Sequence, residues 1–171
     1  MKSDWTNEPP TSSDWQRWLD DYASRLLLFA RQQSRSEADA QDLVQEAVVE
    51  CWQRQGDDAP PALARVFATL RRRAVDLARS RARRARREQA TEPTGECWFD
   101  TSVEDRERCQ IIENTMRRLP NIYREVITLK VWGGLTFAEI AEALEIPANT
   151  AASRYRYGMA ELRRLTREVL T

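Results

Sequence analysis

"LTFAEIAEALEIPANTAASRYRYG", residues 135–158, holds a helix start, a turn and a second helix start within one short span. Thr136 and Glu139 have capping-box spacing: the hydroxyl meets the N–H of the third helical residue and the carboxylate reaches back to the cap. Leu135 and Ile140 bracket the box as a hydrophobic staple. A helix is therefore expected to begin sharply at Thr136, to bury Ile140, Ala141 and Leu144, and to end near Glu145. "EIP" then forms a three-residue turn, and Pro147 suits the start of a second helix, where a missing N–H costs nothing. Two short helices so joined are the pattern of a helix-turn-helix, whose second helix presents its N-terminal residues to base edges. On that helix Ala151, Tyr155, Gly158 and Leu162 are expected to face the bundle. Asn149, Thr150, Ser153, Arg154, Arg156 and Tyr157 are left outward, and their amides, hydroxyls and guanidiniums are the donors that read DNA. A plain bundle with a solvated arginine face is the competing reading. Cap, staple, turn and donors in one register favour the first.

Composition narrows the classes of function. The 171 residues suffice for one medium domain or two small ones. Ala, Arg, Glu and Leu dominate, and five glycines are too few for a turn-rich all-β fold. The fold class expected is all-α: two small helical bundles joined by a flexible acidic linker, the second containing the helix-turn-helix. The chain has no histidine, and Cys51, Cys97 and Cys109 are odd in number and scattered. A disulfide framework or Cys/His zinc site is not expected, and the commonest acid–base catalyst is missing. No catalytic residue, metal or cofactor is assigned, and an enzyme is disfavoured. Without a leader or a long apolar run, the expected protein is cytoplasmic and not inserted in a membrane.

Net charge is zero, with 27 basic and 27 acidic residues, but the charges are segregated. Residues 71–87 hold nine arginines and one acid, Asp76, while residues 88–105 hold six acids and no base. Helical spacing marks a first helix through Trp15, Leu19, Tyr22, Leu26, Leu27 and Ala30. A second runs through Ala40, Leu43, Val44, Ala47, Val48 and Cys51, and a long third begins near Leu63. Pro93, Gly95 and clustered Thr, Ser and Asp residues interrupt the pattern. The expected division is a disordered lead-in over 1–14, a helical domain over 15–87, a linker over 88–107 and the helix-turn-helix domain over 108–171.

Within the second helix Asp42, Glu46 and Glu50 stand at i, i+4 spacing on one face. The ordinary reading is a solvated acidic face; unpaired acids in a row repel by a few tenths of a kcal/mol per pair, which hints at a basic partner. In the third helix Arg65, Arg72, Arg79, Arg83 and Arg86 share a face opposite the apolar stripe. A rigid helix so charged can track a phosphate backbone, or merely solubilise the domain. Asp76 is placed to pair with Arg72 or Arg73, or simply to trim the charge of the run.

These motifs together resemble the sigma-70 family of bacterial RNA polymerase sigma factors, in its small extracytoplasmic-function form. "ADAQDLVQEAVVECW" is similar to the family's second conserved region, "FATLRRRAVDLARSRARR" to its promoter-melting and −10-element helix, and "LPNIYREVITLKVWGGLTFAEIAEALEIPANTAASRYRYGMAELRR" to its fourth region, which binds the −35 element. The likeness runs from Trp15 to Arg164. It implies that Asp42, Gln45 and Glu46 dock on core RNA polymerase. It implies that Arg71, Arg72, Arg73, Arg79 and Arg83 face the −10 element and its melted single strand. It also implies that Asn149, Thr150, Ser153, Arg154 and Arg156 face the −35 major groove. The linker would follow polymerase channels, with Trp98-Phe99 as its anchor or simply packed on a domain. An anti-sigma protein is a further partner such chains can have, and without heptads the free chain is expected to be a monomer.

The chain also departs from the family pattern. Arg65 stands where a tryptophan is usual, Arg72 where an asparagine is common, and "RQGDDAPPA" lacks the aromatic often found beside a captured −10 base. Ala152 replaces a frequent lysine and Glu145 the turn's usual glycine. A left-handed Glu145 costs about 1 kcal/mol. The alternative functional reading is an autonomous helix-turn-helix regulator, which leaves the acidic stripe unexplained. A polymerase-binding regulator that has lost promoter reading is a second.

Overall fold

The computed structural model describes residues 12–55, 59–88, 97–99 and 105–170. These form α1 (Ser12–Gln33), α2 (Glu37–Gln55), α3 (Leu63–Glu88), α4 (Arg106–Arg118), α5 (Asn121–Val131), α6 (Phe137–Leu144) and α7 (Ala148–Leu170), with no strand among the described residues. The all-α class expected from the sequence is what the structure has. Most of the lead-in and of the linker lies outside the described residues. None of the described helices is long and apolar enough to cross a membrane.

Local chemistry sets the helix ends. The Asp39 N–H donates to the Ser36 hydroxyl oxygen at 3.2 Å, and that hydroxyl donates to the Asp39 carboxylate at 2.6 Å, which starts α2. The box at α6 is complete: Glu139 N–H donates to Thr136 Oγ1 at 3.2 Å and Thr136 N–H to Glu139 Oε2 at 2.7 Å. Thr136 therefore caps a helix whose first residue is Phe137. At the other end Glu145 is left-handed, with φ 55° and ψ 47°, the conformation glycine usually supplies. The Ile146 N–H returns to Ala141 O at 3.0 Å and closes the turn. Pro147 lies just ahead of α7, and its carbonyl accepts from Thr150 and Ala151 N–H.

Of two apolar clusters among the described residues, the larger runs through α1, α2, α3, α5, α6 and α7, and the smaller gathers Leu28, Trp98, Met116, Leu119, Ile127 and Leu165. Phe29 of α1 meets Phe67 of α3 edge-on at 5.4 Å, and Leu26, Leu43, Ala47, Val66 and Leu70 close around them. The same cluster continues without a break into Val126 and Leu129 of α5, Ile140, Ala143 and Leu144 of α6, and Ala151 of α7. Burying each of the larger side chains contributes about 1.5–3 kcal/mol. The contact between bundles is made mainly by α6 lying along α3. The sequence reading treated the bundles separately and says nothing of this packing.

That contact explains one difference in detail. Ala143 is buried in α6 and Ala141 is only partly so, the reverse of the expectation for Ala141. A helix packed on α3 as well as on α5 and α7 buries a face that helix-turn-helix spacing alone cannot supply. Gly158 does lie inward as expected. A Cβ there would come within 2.9 Å of Tyr123 Cβ and 3.0 Å of Ile127 Cδ1, so α7 crosses α5 closely at that residue.

Glu145 generates a stability prediction. Glu145→Gly removes the left-handed strain and should raise stability by about 1 kcal/mol, read as a higher urea midpoint with an unchanged slope. An unchanged or lower midpoint would mean that the side chain compensates its own strain.

Candidate nucleic-acid interface

The outward side of α7 is built by the turn before it. Ala151 and Gly158 are buried, and Tyr155 packs edge-on against Phe137 at 5.6 Å. These anchors turn Asn149, Arg156 and Tyr157 to solvent and leave Thr150, Ser153 and Arg154 half-exposed. The Ser153 hydroxyl donates to Asn149 O at 2.8 Å, so it offers a ligand its lone pairs. Arg156 sits over the Tyr157 ring at 5.0 Å and donates to its hydroxyl at 3.3 Å, forming an exposed cation–π pair. Tyr157, 56% exposed, lies on this surface, outward as the helical spacing led one to expect.

The arginines of α3 divide by partner. Arg71 Nε donates to Glu125 Oε1 of α5 at 2.9 Å. Arg72 reaches Glu50, and Arg73 spans Glu50 at 2.7 Å and Glu46 at 2.5 Å, all on α2. Arg79 is well exposed and only loosely paired to Asp76 at 3.9 Å. Arg83 is exposed and has no ion pair or hydrogen bond among the described residues. Asp76 therefore pairs one turn onward, with Arg79, rather than with Arg72 or Arg73. Three of the five arginines singled out in the sequence are engaged by acids, and two are open.

On α2 the acidic stripe is graded. Asp42, Gln45 and Glu46 are exposed, and Asp42 has no ion pair among the described residues. Glu50 is enclosed by Arg54, Arg72 and Arg73. Burial alone would raise its carboxyl, but the Arg73 hydrogen bond and the charges of Arg72, Arg73 and Arg54 hold it below the usual range. Glu37 and Asp39 are lowered chiefly by hydrogen bonds from Arg31 and Arg81. Between α2 and α3 runs a groove of about 350 Å³, floored by Leu43 and Leu77 and rimmed by Asp42, Glu46 and Asp76. Two exposed apolar residues, Val49 at 46% and Trp52 at 44%, extend the line of Asp42, Gln45 and Glu46. Sequence reasoning overlooked them, although their steps from Asp42, seven and ten residues, keep the same face.

Cys97, Trp98 and Phe99 are described between α3 and α4. Trp98 is 3% exposed. Its N–H donates to Glu113 Oε2 at 2.9 Å, its carbonyl accepts from Arg31 Nη1 at 3.0 Å, and Arg117 stacks 4.3 Å from its ring centre. Phe99 lies on Trp132 at 5.7 Å. The segment is thus pinned between α1, α4 and α5.

A helix-turn-helix with an open donor face, beside a basic helix and an acidic one, is the arrangement of an all-helical protein with separate charged surfaces. Comparison with known proteins gives the family. Residues 109–162 match the model of sigma-70, region 4. The chain is 30% identical over 155 residues to the ECF RNA polymerase sigma factor SigL of Mycobacterium tuberculosis, covering 88% of this chain and 87% of that protein. It is 29% identical over 132 residues to SigK of Mycobacterium ulcerans, covering 72% and 70%. In fold it is similar to the sigma factor RpoE from Bartonella quintana, solved with the anti-sigma factor NepR, at a TM-score of 0.68, 21% identity and coverage of 91% and 98%. It is likewise similar to CnrH, solved with the cytosolic domain of CnrY, at a TM-score of 0.64, 22% identity and coverage of 91% and 88%. The chain belongs to the extracytoplasmic-function sigma factors. Such proteins are transcription initiation factors and not an enzyme family.

The lowered carboxyls carry a pH prediction. Glu37, Asp39 and Glu50 bind protons less readily in the folded chain, so their stabilisation is complete above the unfolded value of about 4 and is lost as pH falls through the folded one. Thermal midpoints should be level from about pH 7 to 5 and drop below about pH 4.5. A midpoint that climbs on acidification would contradict these pairings.

Proposed function

We propose that this sigma factor docks on core RNA polymerase through α2 and reads promoter DNA through α3 and α7, in the bacterial cytoplasm. The carrying observation is that the open acidic stripe and the open donor face lie on different helices, so each can hold its own partner. Asp42, Gln45 and Glu46 offer carboxylates and an amide to a basic surface, and Val49 and Trp52 add apolar area beside them. Arg79 and Arg83 are the first contacts for the −10 element, because no acid holds them tightly. Arg72 and Arg73 join by exchanging Glu50 and Glu46 for phosphate, an exchange that surface pairs worth about 0–1 kcal/mol permit. Asn149, Thr150, Ser153, Arg154 and Arg156 face the −35 groove, and Tyr157 stiffens Arg156 beside them.

The working division is a polymerase and −10 unit over 15–87, a linker over 88–107 and a −35 unit over 108–171. The likeness to SigL extends over both units, which disfavours an autonomous regulator built on region 4 alone. The similar RpoE structure holds that sigma factor with the anti-sigma factor NepR, CnrH is held with the cytosolic domain of CnrY, and a regulator of the NepR kind is proposed for this chain too.

Asp42→Arg is expected to cut core polymerase binding at least tenfold and leave the thermal melt within a degree or two, since the carboxylate is exposed. A collapsed melt would make the stripe structural. Arg154→Ala is expected to weaken −35 binding by roughly 1–3 kcal/mol without changing core binding. Equal loss of both would contradict the separation of roles.

A further inference from the structure

We propose that the cavity between α1, Trp98–Phe99 and the end of α5 binds a small aromatic carboxylic acid, with its ring on the aromatic wall and its carboxylate on Arg25. The cavity holds about 230 Å³. Its apolar wall is Leu28, Trp98, Phe99 and Trp132, and its polar side is Ser24, Arg25 and Arg31. Phe99 and Trp132 meet at 5.7 Å and 49°, a splayed corner rather than a closed stack. Trp98 is fixed through its backbone, its N–H donating to Glu113 and its carbonyl accepting from Arg31, so this wall is built before any ligand arrives.

The two guanidiniums differ in what they have left to give. Arg31 donates from Nε and Nη2 to Glu37 at 2.7 and 2.9 Å, and from Nη1 to Trp98 O at 3.0 Å, so its charge is already matched. Arg25 is exposed and has no carboxylate partner among the described residues. It lies 5.3 Å from the Tyr22 ring centre, and its Nη1 reaches Gly133 O only at 3.5 Å, the outer limit of a hydrogen bond. Gly134, left-handed at φ 71°, leaves room for it: a Cβ there would stand 3.2 Å from Arg25 Nη1. A guanidinium with open donors beside an apolar wall fits a planar carboxylate, which accepts two parallel N–H bonds. The same lining disfavours a nucleotide. Apart from the guanidiniums, Ser24 is the sole polar side chain, so the polar edge of a nucleobase would lose water without gaining partners. The volume also lies below the roughly 300–1,000 Å³ of drug-sized sites, which suits one or two fused rings with a single acid group.

The test is equilibrium dialysis of the full chain against naphthalene-2-carboxylate, in about 0.15 M chloride, where a Debye length of about 8 Å mutes the exposed arginines. One saturable site per chain is expected, with a Kd of roughly 1 mM or tighter, the range for a ligand of this size. Arg25→Gln, at an exposed position, should weaken the acid about fivefold or more and leave the thermal melt unchanged. The neutral naphthalene-2-carboxamide should bind wild type and this variant alike, and more weakly than the acid binds wild type. Trp132→Ala, at a partly exposed wall position, should weaken acid and amide together. Absence of a saturable site overturns the proposal. So does binding that Arg25→Gln leaves intact, which would mark a probe drawn to the arginine surface at large. Tighter binding of guanosine monophosphate than of the naphthalene acid would overturn the ligand class and make the cavity a nucleotide site.

Discussion

The position of α3 constrains everything else in this chain. It is packed by α1 and α2 from its own bundle and by α6 from the other, so its apolar stripe is the centre of a common core. Its arginines must then emerge on the remaining sides, where each meets whatever acid the neighbouring helix offers. Arg71 finds Glu125, Arg72 and Arg73 find the acids of α2, Arg81 finds Asp39, and Arg79 and Arg83 reach solvent. The run that looks uniform in sequence is sorted by geometry into a residue paired to α5, a group paired to α2 and an open end.

This sorting ties the folded state to function. Arg72 and Arg73 are half-exposed while Glu50 between them is mostly buried, so the pairs lie open to solvent only on the arginine side. Glu125 differs because its carboxylate has almost no water to fall back on. The outward donors of α7 are set by the cap at Thr136, the turn through Glu145 and the anchors Ala151 and Gly158.

The local features were legible in the sequence because they depend on neighbours three or four residues apart. The capping box, the helix-turn-helix frame, the inward faces of Ala151 and Gly158, and the strain of a left-handed Glu145 all belong to this class. So does the exposure of Asp42, Gln45 and Glu46 on one side of α2. What escaped depends on distance along the chain. Arg71 and Glu125 are 54 residues apart, and Gln32 and Thr128 are 96 apart. No periodicity announces such partners. The same cause misplaced Ala141, which is only partly buried because α6 turns another face to α3. Val49 and Trp52 were missed for another reason: apolar residues are assigned to a core by default, and here they continue an acidic stripe outward.

Co-elution with bacterial core RNA polymerase on a sizing column at moderate salt tests the central claim most directly. The purified chain is expected to leave its own position and appear with the polymerase at close to one copy per enzyme. A chain that elutes alone, yet still retards genomic DNA fragments, would contradict the account and make it an autonomous helix-turn-helix regulator.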